Sequence, residues 1–147
     1  MPSRAAFDKK RRTVGARDGD AVYLKFSGRG GLLTGILTWR DMRVGHLYIA
    51  IEDGEAILQD IVLQERVPTS AGGFLRQLLG RPHVVSFRGS GFGTEVIKAV
   101  FELLPGVGVS VLKGEAVGPD VPRLLRWYRS LGFTVDEDSA WIEKRLP

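Results

Sequence analysis

The chain has 147 residues, 44% of them hydrophobic, which suits one globular domain with a real core and leaves too little for two. It has no cysteine and only two, widely separated histidines, His46 and His83. Disulfides, thiolate metal sites and a cysteine nucleophile are excluded, and a histidine-built metal centre is not expected. The net charge is +4, yet residues 1–17 hold six basic residues against one acid, so the remainder is close to neutral.

That basic stretch, "MPSRAAFDKKRRTVGAR", reads as a flexible arm over 1–18. Its bases at 4–17 could touch nucleic acid, but no series of stacking aromatics interleaves with them, Phe7 being the only one in the stretch. No apolar segment follows the N-terminal charges and no run reaches the roughly 20 residues that span a bilayer, so a cytoplasmic protein without a membrane partner is expected.

From residue 21 the pattern is that of strands. "AVYLKFSG" alternates Val22, Leu24 and Phe26 with polar residues, "SGRGG" breaks it, and "LLTGILTW" (32–39) follows. "HLYIAIE" (46–52) and "AILQDIVLQ" (56–64) flank Asp53-Gly54, a two-residue hairpin signal. An antiparallel meander of four strands is expected. Exposed edge strands make a homodimer compatible with it.

Residues 66–87 read as an insertion punctuated by Pro68, Gly72, Gly73, Gly80 and Pro82, with a short amphipathic helix at 73–79. The rhythm then changes. Val96, Ile97, Val100, Phe101, Leu103 and Leu104 have helical spacing over 92–104, and Pro105-Gly106 stops that helix. "VGVSVL" (107–112) reads as a strand. Asp120 caps a second helix, with Pro122 in its first turn and Gly132 at its end. "FTVD" and "AWIEKRL" close the chain as a hairpin. The sum is a mixed α/β (α+β) domain over 19–147 with a mostly antiparallel sheet of six to seven strands.

The chemistry concentrates in "RGSGFGTE" (88–95), where a strand hands over to a helix. A helix start offers N–H groups without internal partners and a partial positive charge. Glycines at 89, 91 and 93 clear space for an anion. The amides of Gly89, Ser90, Gly91, Phe92, Gly93 and Thr94 can then ring a phosphate, and Arg88 adds a two-pronged donor. A tight turn serving only packing is the plainer alternative. A dinucleotide fingerprint fails because its third glycine position is Thr94, and a Walker loop fails because no lysine follows Gly93.

"RGSGFGTEVIKAVFELL" resembles the R-G-x-G-x-G/A loop and helix of the GCN5-related N-acetyltransferases (GNAT). "LLRWYRSLGF" (124–133) resembles that family's second signature, and "LQDIVLQE" (58–65) its strand before the loop. The resemblance covers about residues 58–135. It implies a β-α-β-α-β C-terminal half, acetyl-CoA as co-substrate without a metal, and transfer of the acetyl group to a primary amine by direct attack. The glycine loop would hold the diphosphate, and the pantetheine arm would lie against Ile61, Val62 and Leu63. Tyr128 matches the family's usual acid. Asp60 and Glu65 are the candidate bases on or near the bordering strand, with Glu52, His83 and a relayed water also weighed; Trp127 reads as core.

The chain departs from the family pattern. Its usual helix pair between the first two strands is missing, the insertion separates strand from loop, and Val121 stands where an asparagine is common. Both 56–64 and 84–87 fit as the strand before the loop. A second reading follows: a non-catalytic GNAT-like module that contacts a macromolecule through its basic arm and insertion.

Overall fold

The computed structural model describes residues 11–63, 67–69, 83–85 and 91–147. The expected helix at 73–79 lies outside them, as do residues 1–10 of the expected arm. Among the described residues eight strands form one sheet in the order β1-β2-β3-β4-β5-β8-β10-β9. These are β1 (Arg12–Arg17), β2 (Asp20–Arg29), β3 (Leu32–Trp39), β4 (Met42–Glu52), β5 (Glu55–Leu63), β8 (Val111–Glu115), β9 (Thr134–Val135) and β10 (Trp141–Arg145). Two three-residue strands, β6 (Val67–Thr69) and β7 (His83–Val85), pair only with each other in this description. The helices are α1 (Phe92–Leu103), continued by a 3-10 turn at Leu104–Val107, and α2 (Val121–Ser130).

The first five strands are joined by two-residue turns at Asp18-Gly19, Gly30-Gly31, Arg40-Asp41 and Asp53-Gly54. All eight turn residues have positive φ. That is the turn whose twist matches two antiparallel strands. No helix interrupts residues 12–63, so the expected lack of a helix pair after the first strand holds. One expectation changes. Arg12–Arg17, placed by composition in a flexible arm, is an edge strand hydrogen-bonded to β2, with Val14 in the core. Its two arginines hide a strand in which few side chains need burial. The sheet is accordingly one strand wider than expected.

The strand read at 107–112 also shifts, to Val111–Glu115. Pro105 starts the 3-10 turn, Gly108 closes it at φ 84, and extended pairing begins only beyond it. Ser110 N–H reaches Gly54 O at 2.8 Å and so aligns β8 beside β5. The second helix forms as expected: Asp120 accepts from Arg123 N at 3.1 Å, and Pro122 occupies its first turn.

Alternation decides where the core sits. Val22, Leu24 and Phe26 on β2 share a face with Leu33, Leu37 and Trp39 on β3, Leu47 and Ile49 on β4, Leu112 on β8 and Ile142 on β10. All are buried, and each contributes about 1.5–3 kcal/mol. Val96, Ile97 and Val100 of α1 and Leu125 and Tyr128 of α2 join the same cluster. Phe92 touches Gly15 on β1 while the neighbouring Gly93 touches Leu63 on β5, so the meander curls around the start of α1. The opposite face carries no described helix.

Candidate active site

The site begins with a break in alternation. Along β5, Ala56 and Leu58 face the core, and so do Ile61 and Leu63, so the spacing from 58 to 61 is three instead of two. The ladder with β4 confirms an extra residue: Tyr48 pairs with Asp60 and the next residue, Ile49, with Leu58, which leaves Gln59 bulged. A bulge bends its strand and increases the local twist.

The bulge coincides with the end of another ladder. β5 and β8 run parallel and pair from Glu55↔Val111 to Leu58↔Gly114, and there the pairing stops. Beyond Leu58 the edge of β5 parts from β8. Ile61, Val62 and Leu63 thus lie on a strand segment paired on its β4 side and, among the described residues, without a strand partner on the other. The strand before the loop, in the sheet and beside β8, is therefore 55–63; residues 83–85 pair with 67–69 instead.

The start of α1 stands over this segment. Gly91 is the N-cap, left-handed at φ 82, and among the described residues beyond its chain neighbours no atom lies within 4 Å of where its side chain would point. The helix has no side-chain cap, so the N–H groups of Phe92, Gly93 and Thr94 have no intrahelical acceptor. Gly93 has a different duty. A methyl there would sit 3.4 Å from the Trp127 ring and 3.7 Å from Leu63, so this glycine lets α1 approach α2 and β5 closely. The glycines that read alike in sequence thus divide: Gly91 leaves open space and Gly93 serves packing. Phe92 is buried, and its ring occupies the room where Gly15 lacks a side chain. Arg88, Gly89, Ser90 and Glu65 lie outside the described residues.

Tyr128 is held in place by the end of its helix. Phe133 N–H donates to Tyr128 O at 3.2 Å and Gly132 N–H to Arg129 O at 3.0 Å, with Gly132 left-handed at φ 94. These two bonds form a Schellman cap. They explain the Tyr-x-x-x-Gly-Phe spacing: the glycine takes the conformation other residues avoid, and Phe133 turns back to meet the tyrosine edge-on at 5.3 Å. Trp127 covers the other side at 4.8 Å. Tyr128 is 7% exposed, and burial raises its hydroxyl above the ordinary tyrosine value of 10.0. It stays protonated at neutral pH, so in proton transfer it can give a proton but not take one.

Trp127, expected as core, also bonds to the loop. Its indole N–H donates to Thr94 Oγ1 at 3.0 Å, which joins α2 to the first turn of α1. Indole N–H is a donor without an alternative acceptor role, and that was the one available hint.

Of the candidate bases, Asp60 lies in β5 directly opposite Tyr48, next to the bulge. Glu52 pairs with Glu55 at the far, closed end of the β4–β5 hairpin and is not at the cleft. His83 lies in β7, opposite Thr69. Among the described residues no group of three metal-ligating side chains comes together, and no helix is long and apolar enough to cross a membrane.

A parallel pair that parts at a bulge, with a glycine-capped helix on one strand and a buried tyrosine beside it, invites comparison with solved structures. The N-acetyltransferase PaiA of Thermoplasma acidophilum in complex with coenzyme A superposes with a TM-score of 0.55 at 12% identity. The match covers 78% of this chain and 61% of that one. The chain has the GNAT fold. Other solved structures agree. The ribosomal-protein-S18-alanine N-acetyltransferase of Escherichia coli gives a TM-score of 0.53 at 18% identity, covering 82% of this chain and 71% of that one. The N-acetyltransferase-like YhhK of E. coli bound to coenzyme A gives 0.54 at 16%, covering 81% and 75%. No family model and no curated protein matches the sequence. The GNAT fold of this chain spans about three fifths of the Thermoplasma protein's length.

Proposed function

We propose that the chain is an acyl-CoA-dependent N-acetyltransferase that moves an acetyl group from acetyl-CoA to a primary amine. The observation that carries this reading is the parting of β5 from β8 at Leu58, where Gln59 bulges. It leaves, among the described residues, an unpaired strand edge beneath the start of α1. The two CoA-bound structures of the same fold support it.

The residues present fit such a co-substrate. Gly91 leaves open space, and the amides of residues 92–94 point out of the helix start with the positive end of its dipole. In this reading Arg88, Gly89 and Ser90 extend that donor set toward the diphosphate. The free edge at Ile61–Leu63 accepts an extended amide-bearing arm as an added strand would be accepted. Bound acetyl-CoA supplies an activated thioester carbonyl.

The transfer is direct. The amine nitrogen bonds to the carbonyl carbon, the carbon–sulfur bond breaks, and the thiolate leaves. Tyr128 gives its proton to that sulfur, a role for which a hydroxyl kept protonated by burial is suited. Asp60 beside the bulge is the first candidate to take the amine proton, with Glu65 the alternative.

Thermal denaturation with and without acetyl-CoA tests the cradle, and thiol release with an amine acceptor tests the chemistry. A melting temperature that rises with ligand, together with amine-dependent thiol release, is expected. No shift at millimolar acetyl-CoA overturns the reading. A shift without amine-dependent thiol release supports a second one, a CoA-binding module without catalysis. That reading is favoured by the two-residue turns of the meander, which leave residues 12–63 without the family's helix pair.

A further inference from the structure

The face of β2–β4 turned away from both helices has a marked chemical character. Over β2–β4 (residues 20–52) the chain contains three acids: Asp20 and Asp41 lie at turns, and Glu52 is exposed on this face at the end of β4. Lys25 and Arg29 project from this face on β2, and Arg43 from β4; all three are exposed. Along a strand, residues four apart are about 13 Å apart, so these cations line a strip rather than a point. None of the three forms an ion pair among the described residues.

Aromatic rings interleave with the charges. Tyr23 lies on the same face of β2 as Lys25, and the Arg11 guanidinium stacks over it at 4.0 Å. Tyr48 lies on the same face of β4, its hydroxyl accepting from Arg43 at 3.3 Å and its ring 5.0 Å from that of His46. The floor between these rows is β3, which contributes Leu32, Thr34, Ile36 and Thr38 and no charge. The basic N-terminal stretch holds a single aromatic, Phe7; here β2 supplies a second directly beneath Arg11.

We propose that this open face of β2–β4 docks single-stranded nucleic acid. Rings on a flat sheet offer stacking to unpaired bases, and interleaved cations follow the phosphates. A duplex is less suited, since no helix or ribbon protrudes to enter a groove. A lipid surface is less suited, since Leu32 is the one well-exposed large apolar side chain among the described residues of β2–β4. The inference is independent of acyl transfer, because it uses none of the residues assigned to that site.

The test is fluorescence anisotropy of a labelled 15-nucleotide uridine-rich RNA with the full-length protein, across 50 to 200 mM salt. Four engaged cations give a log–log slope of about −3, roughly 50-fold weaker binding over that range. Lys25→Glu with Arg29→Glu is expected to weaken binding at least about tenfold and flatten the slope. Tyr48→Leu is expected to weaken it severalfold at unchanged slope, which charge alone would not do. Arg123→Glu with Arg126→Glu on α2, an equal charge change elsewhere, is expected to stay within about twofold. Thermal melts of each variant verify that the fold is retained. The proposal is overturned if the RNA does not bind at 50 mM salt or if both charge reversals act equally. It is also overturned if a duplex of equal length binds more tightly, or if phosphatidylserine vesicles bind and RNA does not.

Discussion

Trp127 donates its indole N–H to Thr94 Oγ1 at 3.0 Å and lies against Gly93, so the residue before the proposed acid is fastened to the first turn of α1. The helix start and Tyr128 therefore move as one unit. Trp127→Phe keeps an aromatic ring and removes the bond. It is expected to cost about 1 kcal/mol in urea denaturation and to weaken acetyl-CoA binding in calorimetry. Trp127→Ala also removes packing and is expected to cost roughly 3 kcal/mol or more. Equal acetyl-CoA affinity in wild type and Trp127→Phe would show that the bond is structural only.

Gly91 and Gly93 are expected to fail in different ways. Gly91→Ala must hold φ 82, which costs about 1–2 kcal/mol outside glycine, but it fills only open space. Gly91→Glu adds a negative charge where a diphosphate is proposed and is expected to abolish the acetyl-CoA melting shift while the protein stays folded. Gly93→Val drives a branched side chain into Trp127 and Leu63, and an overpacking cost of about 1–3 kcal/mol is expected. A Gly91→Glu protein that still shifts its melting temperature would place the ligand elsewhere.

Much of this was legible in the sequence, and what was not has physical causes. Asp53-Gly54 announced its hairpin, and Asp18-Gly19 carries the same signal. The arginines of β1 obscure it, because an edge strand needs few apolar residues and only Val14 is buried there. The Gly-Phe of 132–133 was readable as a helix stop because the cap demands that order. The bulge was written in the three-residue step from Leu58 to Ile61, yet one irregular step is easily taken for noise. The separate duties of Gly91 and Gly93 could not be read, since they depend on Trp127 and Leu63, distant in the chain. The open cationic face needed the register of three strands before Arg11 and Tyr23 met.

Phe92 and Gly15 form a second dependency. A methyl at residue 15 would lie 2.7 Å from Phe92 Cε1, well inside contact distance. Gly15→Val is expected to displace the ring, lower stability by about 1–3 kcal/mol and weaken acetyl-CoA binding through the loop. Phe92→Ala is expected to cost about 3–5 kcal/mol. Because the two residues touch, Gly15→Ala and Phe92→Leu together should cost less than the sum of the two alone. Strict additivity in urea denaturation would mean that β1 does not support the loop.

Tyr128 makes a pH prediction with a definite sign. Burial raises its folded-state value above 10.0, while the unfolded chain keeps the ordinary value near 10. Above that pH the unfolded state therefore binds fewer protons than the folded one, and stability falls as pH rises. Below it Tyr128 adds no pH dependence. Urea denaturation from pH 8 to 11 should show a loss of stability above about pH 10 that is smaller in Tyr128→Phe. For turnover, the same substitution removes the proton donor. A fall in kcat of about a hundredfold is expected, within the usual range for an acid–base group, with little change in the affinity for acetyl-CoA. The wild-type rate should show no alkaline decline from this residue below pH 10. A Tyr128→Phe protein with unchanged kcat across that range would remove the hydroxyl from the mechanism and leave its ring as packing against Phe133 and Trp127.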